Sequence, residues 1–440
     1  MLENLGGLEN VFSILIVILN DWILPFIKAW WWIIPPFLFW GPFTRIWLWW
    51  KQELNWKSRK YVILEIKLPT ETLKPIKAME NIFNTFVDAA GDREPGNFRE
   101  KWIEGDTTFF PSISLEIAGI GGSIHFFIRV EDIYRDWIES AIYAQYPNIE
   151  IAQVEDYTQK VPQDIPVGNW KMEGRDWVLR EPDCYPIKTY EKFETGMESK
   201  EEKRVDPVAK LLEMLSMLSP GEQAWIQILL KDPDKDWKEE GEKIRDKLSK
   251  RPEDIKEPEK SIIRGAAELL IKGPQEKEEE KEERIAYPEM MMTPGERDVV
   301  KELEKKISKP GVSVALRIIY LGTKDVFFKP HIGLAAGFLN SLGTKDLNSF
   351  KPIGETSTKV KSALFWFLDD RRAFLRKRRM FKNYVNRFTP LFPNPGGTMF
   401  LNIEELATLF HFPSKIVAPT HLVPRVEAKK GEAPSGLPVG

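Results

Sequence analysis

The chain has 440 residues, with 63 Lys+Arg against 66 Asp+Glu and a single cysteine. Near charge balance excludes a globally basic nucleic-acid binder while leaving room for a local basic patch. One cysteine excludes a disulfide framework and the multi-cysteine zinc or iron–sulfur patterns, and the length suits two to four domains.

The sixteen tryptophans are unevenly placed: Trp22, Trp30, Trp31, Trp32, Trp40, Trp47, Trp49 and Trp50 lie in the first fifty residues. Between Asp21 and Arg45 run 23 residues with Lys28 as the only charge, preceded by the apolar run Val11 to Leu19. A spanning helix needs about 20 mostly apolar residues. The composition therefore predicts a membrane anchor over residues 1–57, a single transmembrane helix or a hairpin interrupted at Asn20-Asp21 and Pro35-Pro36. Tryptophan prefers the headgroup layer, which marks Trp47, Trp49 and Trp50 as a membrane-interface cluster. Residues 1–27 lack Lys and Arg, whereas Arg45, Lys51, Lys57, Arg59 and Lys60 follow. The positive-inside rule then puts the N-terminus outside the inner membrane and the bulk of the chain in the cytoplasm. A buried aromatic helix pair in a soluble domain is the bland alternative.

Beyond the anchor the pattern turns globular. Lys60 to Leu68 alternates like a half-buried strand, and Leu73 to Ala90 has the apolar face of a helix. Pro111 to Gly119 and Gly122 to Val130 are strands around a glycine-rich hairpin turn. A helix over Glu131 to Tyr146 and a strand over Asn148 to Tyr157 complete a β-α-β-β-α-β order. Part of that order recurs: a helix over Asp206 to Leu218, a strand over Glu222 to Lys231, a helix over Thr293 to Ser308 with Glu296 as a capping-box acid, and a strand over Gly311 to Leu321. Between them the run QEKEEEKEER holds six acids against three bases and reads as an exposed helical or disordered insertion. The expected fold class is thus α+β. An N-terminal transmembrane helix region is followed by tandem ferredoxin-like (split βαβ) domains, at 58–160 and at 161–231 with 289–354. A charged insertion (232–288), a basic helical region (355–399) and an extended C-terminal tail (400–440), with a short helix at Ile403 to Phe410, complete the order.

The strongly basic stretch sets Arg371, Arg372, Arg376, Lys377, Arg378, Arg379, Lys382 and Arg387 against Asp369 and Asp370, a net +6 over these ten charges, with Phe374, Phe381, Tyr384 and Phe388 interleaved. Its functional reading is a contact for nucleic acid, anionic lipid headgroups or an acidic partner. The bland reading is a solvated amphipathic helix whose aromatics are its buried face.

Catalytic chemistry is hard to find. No GxxxxGK[ST] loop occurs, and the four histidines, His125, His331, His411 and His421, share no metal-ligand spacing. Cys184 lies beside Asp183, which disfavours a thiolate. No catalytic residue, cofactor or metal site is expected, and the protein reads as a non-enzyme.

Two segments carry a family resemblance: residues 111–157 (PSISLEIAGIGGSIHFFIRVEDIYRDWIESAIYAQYPNIEIAQVEDY) and 400–440, with its ELATLFHFP core from Glu405 to Pro413. Both resemble the membrane-anchored, non-motor region of type IV secretion or conjugation-type ATPases of the HerA/FtsK type, a domain-of-unknown-function family of ultra-small bacteria. The resemblance implies a stand-alone inner-membrane scaffold of a translocation apparatus that recruits a separately encoded motor ATPase. The docking surface is expected at Glu405, Leu406, Leu409, Phe410 and Phe412. The implied partners are the lipid bilayer and that ATPase, with DNA and a second copy of the chain left open. A membrane-tethered nucleic-acid-binding module using residues 371–387 is the alternative.

Overall fold

The structure, a computed structural model, describes residues 21, 28, 34–69, 74–91, 97–105, 113–194, 206–231, 237–249, 292–361, 366–389, 397–413 and 425–426. The chain divides into two compact units: Met1–Lys60 with Arg93–Phe109, and Tyr61–Asp92 with Phe110–Gly440.

In the first unit, helix α1 (Ile34–Ser58) packs against a π-helical turn, Glu100–Glu104. The Trp47 indole N–H donates to the Trp102 carbonyl at 3.0 Å, and the Asn55 amide donates to the Glu104 carbonyl at 3.0 Å. Here the expected transmembrane region has to be corrected. Among the described residues no helix is long and apolar enough to cross a membrane. Arg45, Lys51, Glu53 and Lys57 charge the second half of α1, and each such group is costly in hydrocarbon. Most of the apolar stretch 22–33 lies outside the described residues, as do residues 1–20. The Lys51 ammonium sits 5.4 and 5.3 Å from the Trp47 and Trp50 rings, within cation–π range.

The second unit opens with strand β1 (Tyr61–Pro69) and helix α2 (Lys77–Gly91). Strands β2 (Ile113–Ile120) and β3 (Ser123–Glu131) follow, then helix α3 (Arg135–Gln145) and β4 (Glu150–Val154). The β2–β3 turn is tight because Gly121 and Gly122 both take positive φ, 55° and 90°, which a two-residue hairpin of this kind requires. The strand order β4-β1-β3-β2, antiparallel throughout, is that of a split βαβ unit.

The same order returns with a different connection. Strand β5 (Trp170–Leu179) is followed by the short α4 (Tyr190–Glu194), α5 (Ala209–Ser216) and β6 (Glu222–Lys231). Helices α6 (Trp237–Leu248) and α7 (Pro294–Ser308) stand where the first half has its hairpin. Strand β7 (Gly311–Thr323), α8 (His331–Ser341) and β8 (Phe350–Pro352) complete it. Its strands lie in the order β6-β7-β5-β8. The two halves are not separate domains. Strand β2 pairs with β6 in antiparallel register from Ile113↔Leu230 to Ile120↔Gln223, making one continuous sheet, β4-β1-β3-β2-β6-β7-β5-β8.

Two later strands attach to this path. Strand β9 (Met399–Asn402) continues along β7 beyond the end of β5, pairing Gly311↔Asn402 to Val314↔Met399. The two-residue β10 (Arg425–Val426) lies parallel to the end of β1. Gly311 must lack a side chain, since a Cβ there would sit 2.4 Å from the Leu401 carbonyl oxygen.

Both faces of the sheet are covered. Alternate residues such as Phe126, Ile117, Ile226 and Ile318 meet the helical layer, where Leu211, Leu215, Phe338 and Leu339 also lie. The opposite residues, among them Phe127, Trp225 and Ile319, meet Tyr157, Val161 and Ile165 and helix α9 (Asp369–Val385). Strand β7 lies between the two layers, and its first twelve residues are buried. Helix α10 (Ile403–Leu409) is buried along its whole length, and the expected extended tail is therefore interior structure from Met399 to Pro413. Residues 414–424 and 427–440 lie outside the described residues, as do 250–291 of the charged insertion.

Candidate nucleic-acid interface

Helix α9 begins with Asp369 and Asp370 in its first turn and has Lys382 in its last, a charge order that suits the helix dipole. Its residues sort cleanly by period. Met380, Phe381 and Tyr384 point inward, the latter two onto Trp225, whose ring centroid lies 5.1 Å from that of Tyr384 and 6.4 Å from that of Phe381.

Three of the eight bases share this inward side. Arg376 donates to the carbonyls of Gly354 and Ser357 at 2.9 and 3.0 Å. Lys377 pairs with Glu173 at 3.0 Å, a carboxylate that also accepts from Thr358 at 2.6 Å. Arg387, just past the helix, is buried at the seam between β2 and β6 and takes the left-handed φ of 55°.

Around Arg387 lies a polar cluster that is buried except at Asp156, whose side chain is 23% exposed. Its guanidinium donates to both oxygens of Glu116, at 3.0 and 3.2 Å, and forms a second ion pair with Asp156. Glu116 also accepts from Ser114 (2.6 Å), Tyr157 (2.8 Å) and Gln227 (3.0 Å), its partner across the seam. Burial opposes the Glu116 carboxylate, but Arg387 and the two hydroxyls outweigh it and hold its pKa below the usual range. The same balance keeps Asp156 low and drives Arg387 well above its ordinary value. Burial, the Glu116 charge and the 2.7 Å hydrogen bond between the Tyr157 and Tyr384 hydroxyls raise Tyr157, and burial chiefly raises Tyr384. These groups clamp the helix to the sheet.

The other five bases face outward. Arg371, Arg372, Arg378, Arg379 and Lys382 are exposed and make no ion pair among the described residues. Their spacing (i, i+1, i+7, i+8, i+11) places them on one stripe of the helix, about 16 Å long at 1.5 Å per residue. Leu375 and Phe374 interrupt it, 53% and 37% exposed. Phe381 and Tyr384, two of the interleaved aromatics in the sequence, are buried and take no part in that surface.

The residues expected to dock an ATPase are interior. Glu405 and Phe410 are fully buried, and Leu406, Leu409 and Phe412 nearly so. Phe410 and Phe412 pack on Phe126 with ring centroids 6.0 and 5.8 Å away. Glu405 closes a capping box on Asn402 and forms a fully buried ion pair with Lys306 at 3.0 Å. A partner cannot touch these side chains in the folded protein, so the expected docking surface is corrected to a structural core. Sequence reading saw the apolar pattern of this helix but not that every side of it is covered.

His125 bonds Glu65 at 2.6 Å, and His411 bridges Asp206 and the Ala407 carbonyl. Burial pushes the Cys184 thiol up to about 11, far from a thiolate at neutral pH. No group of three metal-ligating side chains occurs among the described residues. An open cleft of about 680 Å³ is lined by Tyr61, Arg129, Gln153 and Asp156. Arg129 lies over the Tyr61 ring at 3.7 Å there, and burial, then the Arg387 charge, lowers its pKa to about 10, which leaves it cationic.

The chain belongs to the family described as Domain of unknown function (DUF8128), which matches residues 96–340. That span contains the seam strands β2 and β6 and leaves helix α9 outside. Nothing in the match links the chain to secretion or conjugation ATPases, and with no membrane-crossing helix among the described residues the membrane and secretion assignments are without support from either. None of the curated proteins compared matches the chain.

Proposed function

We propose that the protein is a non-enzymatic nucleic-acid-binding scaffold that holds a phosphate backbone along the outward face of α9. The observation that carries this reading is the segregation of charge on one helix. Three bases are consumed by inward partners, while five stand unpaired on a single exposed stripe, held by a buried ion-pair cluster at the centre of the sheet. A merely solvated helix would be expected to intersperse acids on that stripe, and beyond the first turn α9 has none.

Five phosphate contacts set the salt dependence. The slope of log affinity against log salt should be about −4.5 on duplex DNA and about −3.5 on single strands. Reversing Arg371, Arg372, Arg378 and Arg379 to Glu should abolish binding in a fluorescence-anisotropy titration and leave the melting temperature nearly unchanged, because none of the four is packed. Undiminished affinity in that variant would remove the reading.

A second reading, recruitment of a separately encoded motor ATPase, is supported by the resemblance of residues 111–157 and 400–440 alone. Docking would have to use surface other than Glu405 to Phe412. Retention of a hexameric ATPase by the intact chain on co-purification supports it, and failure to retain one removes it.

A further inference from the structure

We infer that the open cleft beside β1 and β4 is a binding site for a small organic anion, with Arg129 holding its carboxylate or phosphate head group. Arg129 stands on β3 directly opposite Ile63 of β1, which places Tyr61 at the diagonal position on the same face of the sheet. The guanidinium lies over the Tyr61 ring at 3.7 Å, and both residues line the cleft. A guanidinium laid on a ring keeps its N–H groups in its own plane. There they are free to meet an oxyanion with two parallel hydrogen bonds.

No acceptor among the described residues takes those donors. Arg129 makes no hydrogen bond or ion pair there, and its Nη1 is buried without a partner. An unpaired buried donor is costly, and in a native protein it calls for an occupant. The two carboxylates that act on its charge, Glu116 and Asp156, are both engaged by Arg387. Arg129 therefore sits beside a second cation with no counter-ion of its own. The remaining charged side chain of the lining, Glu155, is exposed, so water and salt screen its repulsion of an anion. At about 680 Å³ the cleft has the size of a small-molecule site and exceeds a bare phosphate or acetate. The ligand therefore carries a body as well as a head group, and Ile63, Gln153 and Val154 are the walls that body would meet.

The test is calorimetric titration of the full chain with acetate, citrate, inorganic phosphate and glucose 6-phosphate. One of the two larger anions should bind at least about tenfold tighter than its bare head group. Tighter citrate assigns a carboxylate ligand, and tighter sugar phosphate assigns a phosphate. Arg129→Lys keeps the charge but loses the fork, and should weaken that binding about tenfold. Glu155→Gln should strengthen it about twofold, since it removes a screened repulsion. The four-residue charge reversal on α9 should leave it unchanged, because none of those arginines lines the cleft. The bound anion should raise the melting temperature of the parent and not that of Arg129→Met. No binding of any of the four anions up to about 10 mM, or undiminished binding by both Arg129 variants, overturns the inference.

Discussion

Glu116 is a carboxylate with no contact to solvent, and its neighbours determine what its charge does for the fold. Removing one partner of such a buried pair typically costs about 3–5 kcal/mol, because the other charge is left uncompensated. Glu116→Gln should lower stability by about that much in urea denaturation, with Asp156 left as the one carboxylate paired with Arg387 among the described residues. The pH dependence has a definite sign. Glu116, Asp156 and Glu173 all have folded pKa values below their ordinary ones. Their contribution is complete above the ordinary carboxylate range near pH 4 and is lost as pH falls through the lower folded values. The urea midpoint should therefore hold from neutral pH to about 4 and drop below that, less steeply in Glu116→Gln. A midpoint in the parent that stays constant down to pH 2 would contradict this account.

Helix α10 shows how an element's role is settled by what covers it. Lys305 and Lys309 of α7 and its neighbouring turn both bond Glu404, at 3.0 and 2.7 Å, and Lys309 reaches Glu80 of α2 at 2.7 Å. Together with the Lys306–Glu405 pair these contacts knit α10 to both halves. Phe410→Ala should cost about 3–5 kcal/mol, the range for a large aromatic removed from a core; a melting curve unchanged from the parent would mean that Phe410 is surface after all. The sequence made the first half of the sheet legible, since alternation in Lys60 to Leu68 and the paired glycines at 121 and 122 are local signals. It hid β5, because WKMEGRDWVL places Glu173 and Asp176 where a strand pattern wants apolar residues. Their partners, Lys377 and Arg317, are supplied by elements more than a hundred residues away. The basic stretch was visible as a count of charges, but only the packed helix separates the five outward bases from Arg376, Lys377 and Arg387.

At the scale of the whole sheet, the two halves share one hydrogen-bonded ladder where β2 meets β6, with Trp225, Tyr157 and α9 packed across it. Neither half can open at that edge without exposing unpaired backbone groups, a liability that free strand edges carry. Amides in β2 and β6 should therefore exchange with solvent through one common opening, with the same free energy in native-state hydrogen exchange. Two clearly separated opening energies, one for each half, would show the sheet to be two cooperative units. The attachment of β9 along β7 has a consequence for the nascent chain. The segment that pairs with Gly311–Val314 is Met399–Asn402, which leaves the ribosome about ninety residues later, on the order of 10 s at ordinary elongation rates. During that interval one end of a strand whose first twelve residues are buried in the folded protein has no partner on that side. Synthesis of this chain thus includes a period in which chaperone protection of β7 matters more than it does for the four strands of the first half, which are already complete.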